Sequence, residues 1–174
     1  MPPFVFMLLR FIHVVIGAAW AGSVIFMAMF LLPTIKGTGQ NGAAVMSYLT
    51  TVKRIPVYLM GGVTLTILSG LALYGIDSAG FSRQWMASGP GMTFAFGGLM
   101  GIIVGILGGA VNAPTARRLG EIGVEIKAAG GPPSAAQATE IARLQERLTN
   151  AMRAASVLLF LALTSMALAR YMPS

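Results

Sequence analysis

Cysteine is absent from the sequence, and charged residues are scarce. The absence of cysteine excludes thiolate catalysis, iron–sulfur clusters and cysteine-ligated zinc, as well as a secreted fold held by disulfide bonds. Charged residues make up 10% of the chain, whereas a soluble domain has about a quarter. Hydrophobic residues make up 56% of it, glycine occurs 22 times, and the mean hydropathy is +0.77. This composition is typical of a membrane protein with closely packed helices.

Carboxylates are rarer than basic groups, with five in 174 residues. Four are glutamates between residues 121 and 146, and the fifth is Asp77. None lies in an apolar stretch, so an acidic proton or cation relay inside a membrane has no candidate residue. The sequence also contains no Ser–His–Asp set and no phosphate-binding loop. The net charge of +7 comes from basic residues that flank apolar stretches, which indicates membrane topology and anionic lipid rather than nucleic acid.

Four apolar stretches divide the chain, each near the roughly 20 residues that a helix needs to cross a bilayer. They lie at about residues 5–32, 57–74, 92–112 and 150–171. Because lipid offers the backbone no hydrogen-bond partner, such stretches form helices. The sequence therefore predicts an all-α fold, an integral membrane four-helix bundle that forms a single domain over residues 1–174. The first stretch lacks a basic start and continues well past the A-W-A at 19–21, so we expect a retained helix and not a cleaved signal peptide.

Basic residues divide unequally between the two sides of this bundle. Nine lie beside the two longer connections: Lys36, Lys53, Arg54, Arg117, Arg118, Lys127, Arg143, Arg147 and Arg153. Three lie on the opposite side: Arg10, Arg83 and Arg170. Since positively charged connections stay in the cytoplasm, we expect the longer connections there. Both termini are then on the outer, periplasmic side of a bacterial-type inner (plasma) membrane.

The connection between the third and fourth stretches, about residues 115–149, is predicted to be a helical hairpin. Apolar residues recur in it at helical spacing: Leu119, Ile122, Ile126, Ile141, Leu144 and Leu148. Arg117 and Glu121 have the i,i+4 spacing of an ion pair, and Ser134 with Gln137 forms a capping-box pattern after the break GGPP. Helices 3 and 4 are therefore expected to extend into the cytoplasm. The extension either only tethers the two helices or docks another protein.

Helix 3 contains a glycine at every fourth position: Gly97, Gly101, Gly105 and Gly109. This spacing predicts a nearly continuous groove, a glycine zipper, in which another helix backbone approaches closely. The pattern does not say whether that helix belongs to the same chain, to a second copy in a homodimer, or to a larger membrane complex.

Methionine is frequent, with 12 residues, and thioethers suit Cu(I). The residues are scattered and form no repeated M-x-x-M cluster: they include Met27, Met29, Met46, Met60, Met100 and Met166. Ordinary packing is therefore the favoured interpretation.

The only histidine, His13, lies in the apolar run RFIHVVIGAAWAG. At helical spacing it shares one face with Arg10, Gly17, Trp20 and Val24. Gly17 leaves a notch on that face in which a flat group has room. An ionisable residue inside a membrane is by default a candidate functional residue, so this face is the best candidate site in the sequence.

One hypothesis makes His13 a metal ligand, the axial ligand of a haem. Counting along the helices puts Met166 near the level of His13, and Arg170 near the level of Arg10. Met166, or His13 of a second copy, would be the other axial ligand, and the two arginines would pair with the propionates. The competing hypothesis is a neutral imidazole that hydrogen-bonds a neighbouring helix through a carbonyl or a hydroxyl group. The hydroxyl candidates are Ser69 and Thr64.

An apolar run that ends in Leu-Pro follows the stretch RFIHVVIGAAWAG. This pattern resembles helix 1 of the small membrane proteins grouped around CopD-like copper-resistance proteins and HemJ-type protoporphyrinogen oxidases. The resemblance extends to VKRIPVYLMGGVTLTILSGLALYG, with Arg54, Pro56 and Ser69–Gly70, and to RLTNAMR in the fourth stretch. It is closest to uncharacterised four-helix relatives. It implies a four-helix bundle and, from the HemJ type, a haem on His13. The HemJ type also has a tryptophan and a lysine near the start of helix 3, where this chain has GMTFAFGG.

Three functions stay open on these grounds. The favoured one is a membrane protein of accessory or binding type that holds haem b through His13. The second is a haem-dependent oxidoreductase similar to protoporphyrinogen oxidase, and the third is a copper-handling protein. The expected partners are the lipid bilayer and either a second copy or a larger membrane complex.

Overall fold

The computed structural model describes residues 2–173, with the side chains of residues 40, 41 and 43 left out. Every regular element within these bounds is helical. In chain order the helices are α1 (Pro3–Gly37), α2 (Gln40–Thr51), α3 (Ile55–Asp77), α4 (Arg83–Met86), α5 (Gly89–Ala129) and α6 (Ala135–Tyr171). By length and composition, α1, α3, α5 and α6 could each cross a membrane. The all-α class and the four candidate spans are confirmed.

Two of the long helices continue through prolines. The sequence predicts that α1 ends near residue 32, but α1 runs through Pro33. A π-helical turn, Met27–Leu31, precedes this proline, and a second one, Gly108–Asn112, precedes Pro114 in α5. In these turns the N–H of Leu32 bonds the carbonyl of Met27, and the N–H of Ala113 bonds that of Gly108, each five residues back. The wider turn thus lies directly before the proline, whose missing N–H interrupts the regular helical pattern. Helix α1 therefore continues past the apolar stretch that the sequence predicts, as far as Gly37.

Helix α2 occupies a segment in which the sequence predicts only a loop. The helix follows Gly39, whose positive φ of 57° turns the chain after α1. Its residues Met46 and Leu49 are half-buried, while Val45 and Tyr48 are exposed. The glycine and asparagine in GTGQNG are typical of a turn, which is why the sequence conceals this helix. It contacts the last turns of α1 and also α3.

All four long helices contribute to the buried core. Its apolar residues include Trp20, Val24, Val63, Val104, Ala155 and Leu159. Helix α1 contacts α3 along residues 3–26 and α6 along residues 17–31, while α5 packs against both α3 and α6. The N-terminal part of α1 thus has α3 as its main neighbour, and its middle part lies between α3 and α6.

Helices α5 and α6 remain in contact beyond their apolar stretches. The predicted capping box is present, because Ser134 Oγ accepts from Gln137 N at 3.2 Å and Ser134 N donates to Gln137 Oε1 at 3.0 Å. Ile122 is fully buried, and Leu144 and Leu148 are nearly so. These three residues of the predicted apolar stripe are therefore buried where α5 and α6 contact each other beyond their apolar stretches.

Arg118, and not the predicted Arg117, forms the ion pairs of this region. Its Nε and Nη2 donate to the two carboxylate oxygens of Glu140 at 2.9 and 3.2 Å, and its Nη1 donates to Glu125 at 3.1 Å. Nη1 also lies 3.6 Å from Glu121. These hydrogen bonds lower the pKa of Glu140 and raise the pKa of Arg118. The i,i+4 spacing along one helix indicates Arg117, but Arg118 also reaches a carboxylate on the neighbouring helix α6, that of Glu140.

Candidate functional site

His13 lies in a third π-helical turn, Ile12–Ile16, which no proline follows directly. Its Nδ1 is 2.9 Å from the carbonyl oxygen of Thr66 on α3. A carbonyl only accepts, so this hydrogen bond requires the proton on Nδ1, and a neutral ring in this tautomer has its lone pair on Nε2. The bond to a carbonyl of a neighbouring helix is the contact that the competing hypothesis expected. Of the two hydroxyl candidates, Ser69 donates to backbone carbonyls of α3, including that of Thr66 at 3.2 Å.

The imidazole rests directly on Gly70. A Cβ at Gly70 would lie 2.7 Å from Cε1 of His13 and 2.9 Å from its Nδ1. His13 is half-buried, and the hydrogen bond of its ring to a described residue is made by Nδ1, not by Nε2. An imidazole that donates from one nitrogen to a carbonyl and presents the other is in the orientation that metal ligands adopt.

The face of α1 that carries His13 interlocks with α3. A Cβ at Gly17 would lie 3.1 Å from Cγ2 of Thr66, and a Cβ at Gly62 would lie 3.1 Å from Cβ of Trp20. The notch expected at Gly17 is therefore filled by Thr66, and no flat group has room there. The sequence could not indicate this, because the filling residue comes from a different helix.

The other predicted haem residues lie in different surroundings. Met166 packs against α5, where its Cε would lie 3.2 Å from a Cβ at Gly97. Trp20 is 5% exposed and lies in the core. Arg10 and Arg170 are both exposed. The structure thus packs His13 against α3 and Met166 against α5.

The four glycines of the predicted zipper do not face one common partner. A Cβ at Gly97 would lie 3.2 Å from Ala162 O on α6, whereas a Cβ at Gly105 would lie 3.1 Å from Ile67 Cδ1 on α3. At Gly101 and Gly109, a Cβ would meet no neighbouring atom of the described chain within 4 Å. Gly97 therefore packs against α6 and Gly105 against α3, while Gly101 and Gly109 face open space beside the described chain.

A cavity of about 130 Å³ lies between α1, α2, α3, α5 and α6. Most of its lining is apolar, and Trp20 and Val104 form part of the wall. Four methionines from four helices also line it: Met27, Met46, Met60 and Met152. Three of them belong to the set that the sequence suggested was scattered. Their convergence depends on tertiary structure and has no spacing signal.

Asn112 is the polar side chain that sequence reasoning missed. It ends the π turn Gly108–Asn112 and lines the cavity. Its Nδ2 donates to Met152 Sδ at 3.3 Å. Its Oδ1 is buried and accepts no hydrogen bond from a described residue. The only available signal was an amide residue at the end of the third apolar stretch, in GGAVNAP.

A shallower groove of about 290 Å³ adjoins the cavity, and we call it the lateral groove. It shares three lining residues with the cavity: Met27, Ile55 and Leu59. The remaining lining residues are Ser23, Phe26, Leu31, Leu49 and Tyr58. Phe26 and Tyr58 are half exposed or more. The lateral groove therefore lies beside the cavity, at the outer surface of α1 and α3.

Within residues 2–173, no three side chains of His, Cys, Asp or Glu are arranged to hold a metal ion. Comparison of the chain with protein-family models, with curated proteins and with solved structures finds no match.

Proposed function

We propose that the chain is an integral membrane protein of binding type, whose four long helices form a bundle across a bacterial inner membrane. The apolar length of α1, α3, α5 and α6 supports this proposal. The nine basic residues beside the two longer connections support an orientation with α2 and the α5–α6 extension in the cytoplasm. Both termini are then periplasmic.

His13 is the ligand-holding residue of this proposal, and the ligand is a haem b. One observation carries it: Nδ1 of His13 is fixed by Thr66 O at 2.9 Å, which leaves Nε2 as the nitrogen that can bind a ligand. The π turn supports the same conclusion, since such turns occur frequently at functional sites and this one precedes no proline. A bound haem supplies an iron centre suited to electron transfer.

A second copy of the chain completes the proposed site. The sequence has one histidine, and Met166 packs against Gly97 of α5 instead of His13. Two copies that present Nε2 to each other would hold the iron with two imidazoles. Arg10 is exposed one helical turn before His13 and is suited to a propionate.

The absorption spectrum of the purified protein tests this site. After haem supplementation, we expect a Soret band with one haem for two chains, and we expect His13→Ala to lose it. Met166→Leu is the matched control and should keep the spectrum, because Met166 is not a ligand in the proposed arrangement. A colourless wild-type protein would remove the haem proposal. One haem per chain together with loss in Met166→Leu would replace the second histidine by methionine.

Metal analysis of the same sample separates the remaining functions. Copper without haem would favour the copper-handling function. Turnover of a porphyrinogen by the haem-loaded protein would favour the oxidoreductase. Stable co-purification with a larger membrane complex that persists in His13→Ala would favour an accessory subunit.

Reporter fusions test the orientation. We expect alkaline phosphatase to be active and green fluorescent protein to be dark when either follows the C-terminus, because the first works outside the cytoplasm and the second inside it. The matched control is insertion after Gly131, between α5 and α6, where the two signals should exchange. Fluorescence from the C-terminal fusion would refute the orientation.

A further inference from the structure

The cavity between the helices combines an apolar wall with one unused hydrogen-bond acceptor. Oδ1 of Asn112 is buried and lacks a hydrogen-bond partner among the described residues, while the amide's Nδ2 donates to Met152. A buried carbonyl without a donor is unfavourable, and native structures usually satisfy such groups. Oδ1 is closed off in this arrangement, from the cavity as well as from the surface, so the Asn112 side chain must turn before a group in the cavity can donate a hydrogen bond to it.

We propose that this cavity binds the head of a lipophilic molecule that carries a hydroxyl group, and that the side chain of Asn112, which lines the cavity, turns so that its Oδ1 accepts a hydrogen bond from that hydroxyl. The volume of about 130 Å³ limits the size of the head. An engineered apolar cavity of about 150 Å³ takes up benzene, so a single six-membered ring, or a chain of similar bulk, is the upper limit for the head and requires the flexible methionine side chains of the lining to adjust. A phenol has this size and supplies the donor.

The methionine lining supports a ligand of this kind. Met27, Met46, Met60 and Met152 have unbranched, flexible side chains, which adapt to irregular apolar shapes and make favourable contacts with aromatic rings. Trp20 adds an aromatic wall.

The lateral groove supplies room for an apolar tail. It shares Met27, Ile55 and Leu59 with the cavity and reaches the exposed side chains of Phe26 and Tyr58. A ligand dissolved in the bilayer can therefore place its ring beside Asn112 while its tail stays at the lipid-facing surface. This site is separate from His13, since His13 lines neither the cavity nor the lateral groove.

Two probes that differ by one hydroxyl group test the proposal: 4-pentylphenol and pentylbenzene. The protein is placed in lipid nanodiscs, and each affinity is divided by the partition of that probe into protein-free nanodiscs. Trp20 lines the cavity and reports occupancy by its fluorescence, once Trp85→Phe has removed the only other tryptophan. We expect 4-pentylphenol to bind about tenfold more tightly than pentylbenzene, the effect of about one hydrogen bond.

Asn112→Leu tests the acceptor, because leucine has a similar shape and no carbonyl. We expect the tenfold preference to fall to about one, with the affinity for pentylbenzene equal or higher. Far-UV circular dichroism confirms that the variant is folded. A preference that survives in Asn112→Leu would overturn the assignment of the hydroxyl partner.

Val104→Phe tests the cavity itself. Val104 is 3% exposed and lines the cavity, so a larger side chain there takes up its space. Both probes should bind at least tenfold more weakly to Val104→Phe. The matched control is Ile106→Phe on the same helix, where the side chain is 61% exposed and binding should not change. Equal binding to wild type and to folded Val104→Phe would show that the probes dissolve in lipid, and the proposal would fail. None of these outcomes depends on haem, and the His13→Ala protein should give the same affinities.

Discussion

Gly97→Leu is expected to lower the free energy of unfolding by about 3 kcal/mol, because overpacking a tight helix contact typically costs about 1–3 kcal/mol and here one wall is backbone. A Cβ at Gly97 would already lie 3.2 Å from Ala162 O, from Ser165 Cβ and from Met166 Cε. Met166 is flexible and can move aside, whereas the carbonyl of Ala162 belongs to α6 and moves only with the helix. The two helices must therefore separate, and the bond from Ser165 Oγ to Thr93 O, 2.7 Å long, is lost with them.

Gly101→Leu is the matched control for this prediction. It lies one spacing further along α5, and a Cβ there would meet no neighbouring atom of the described chain within 4 Å. We expect a change of less than about 0.5 kcal/mol, because leucine is compatible with lipid and has a higher helix propensity than glycine. Thermal unfolding in detergent micelles, followed by far-UV circular dichroism, measures both variants. With about 2–4 °C per kcal/mol in a chain of this size, Gly97→Leu should melt about 6–12 °C lower than Gly101→Leu.

Equal losses in the two variants would contradict this interpretation and revive the continuous glycine zipper. The partner at Gly101 would then be a second copy, and the loss at Gly101 would depend on protein concentration, since only association in the micelle could supply the contact. A loss at Gly97 alone, independent of concentration, supports packing within one chain.

The number and approximate position of the spans could be predicted from hydropathy, because lipid leaves a long apolar segment no alternative to the helix. The ends of the helices could not be predicted in this way. Pro33 is a helix breaker in sequence, yet α1 continues through it after a π turn that the sequence does not indicate. Helix α2 is short, and its apolar residues cover the end of other helices instead of forming a span.

The sequence predicts one residue of the candidate site, His13, but it does not predict which residues surround His13. A single ionisable group in an apolar run is visible in sequence, so His13 stands out. Its partner, the carbonyl of Thr66, lies 53 residues away and has no side-chain signal. Trp20 shares a helical face with His13, yet it lies about two turns further along α1 and lines the cavity. Sharing a face does not imply sharing a site when the neighbouring helices change along that face.

Gly62→Leu is expected to cost about 3 kcal/mol in the wild-type chain, while Gly61→Leu should cost less than about 0.5 kcal/mol. A Cβ at Gly62 would lie 3.1 Å from Cβ of Trp20 and 3.5 Å from its Cγ and Cδ1, whereas a Cβ at Gly61 would meet no neighbouring atom of the described chain within 4 Å. Trp20 is 5% exposed, and the nearest of these atoms, its Cβ, is bonded directly to the backbone of α1, so it moves only with that helix. The same thermal unfolding measured by far-UV circular dichroism compares these adjacent glycines.

The double variant Trp20→Ala/Gly62→Leu identifies the contact responsible. Trp20→Ala alone should cost about 3–5 kcal/mol, as removal of a buried tryptophan typically does. It keeps Cβ but removes Cγ and Cδ1, so a side chain at position 62 gains room beyond that Cβ. Adding Gly62→Leu to it should therefore cost about 1–2 kcal/mol less than adding it to the wild type, the coupling expected of residues in contact. If the two losses of unfolding free energy simply add, a neighbour other than the indole of Trp20 limits the side chain at position 62. Coupling of this size would establish that the indole, which sequence reasoning assigned to a haem site, packs α1 against α3.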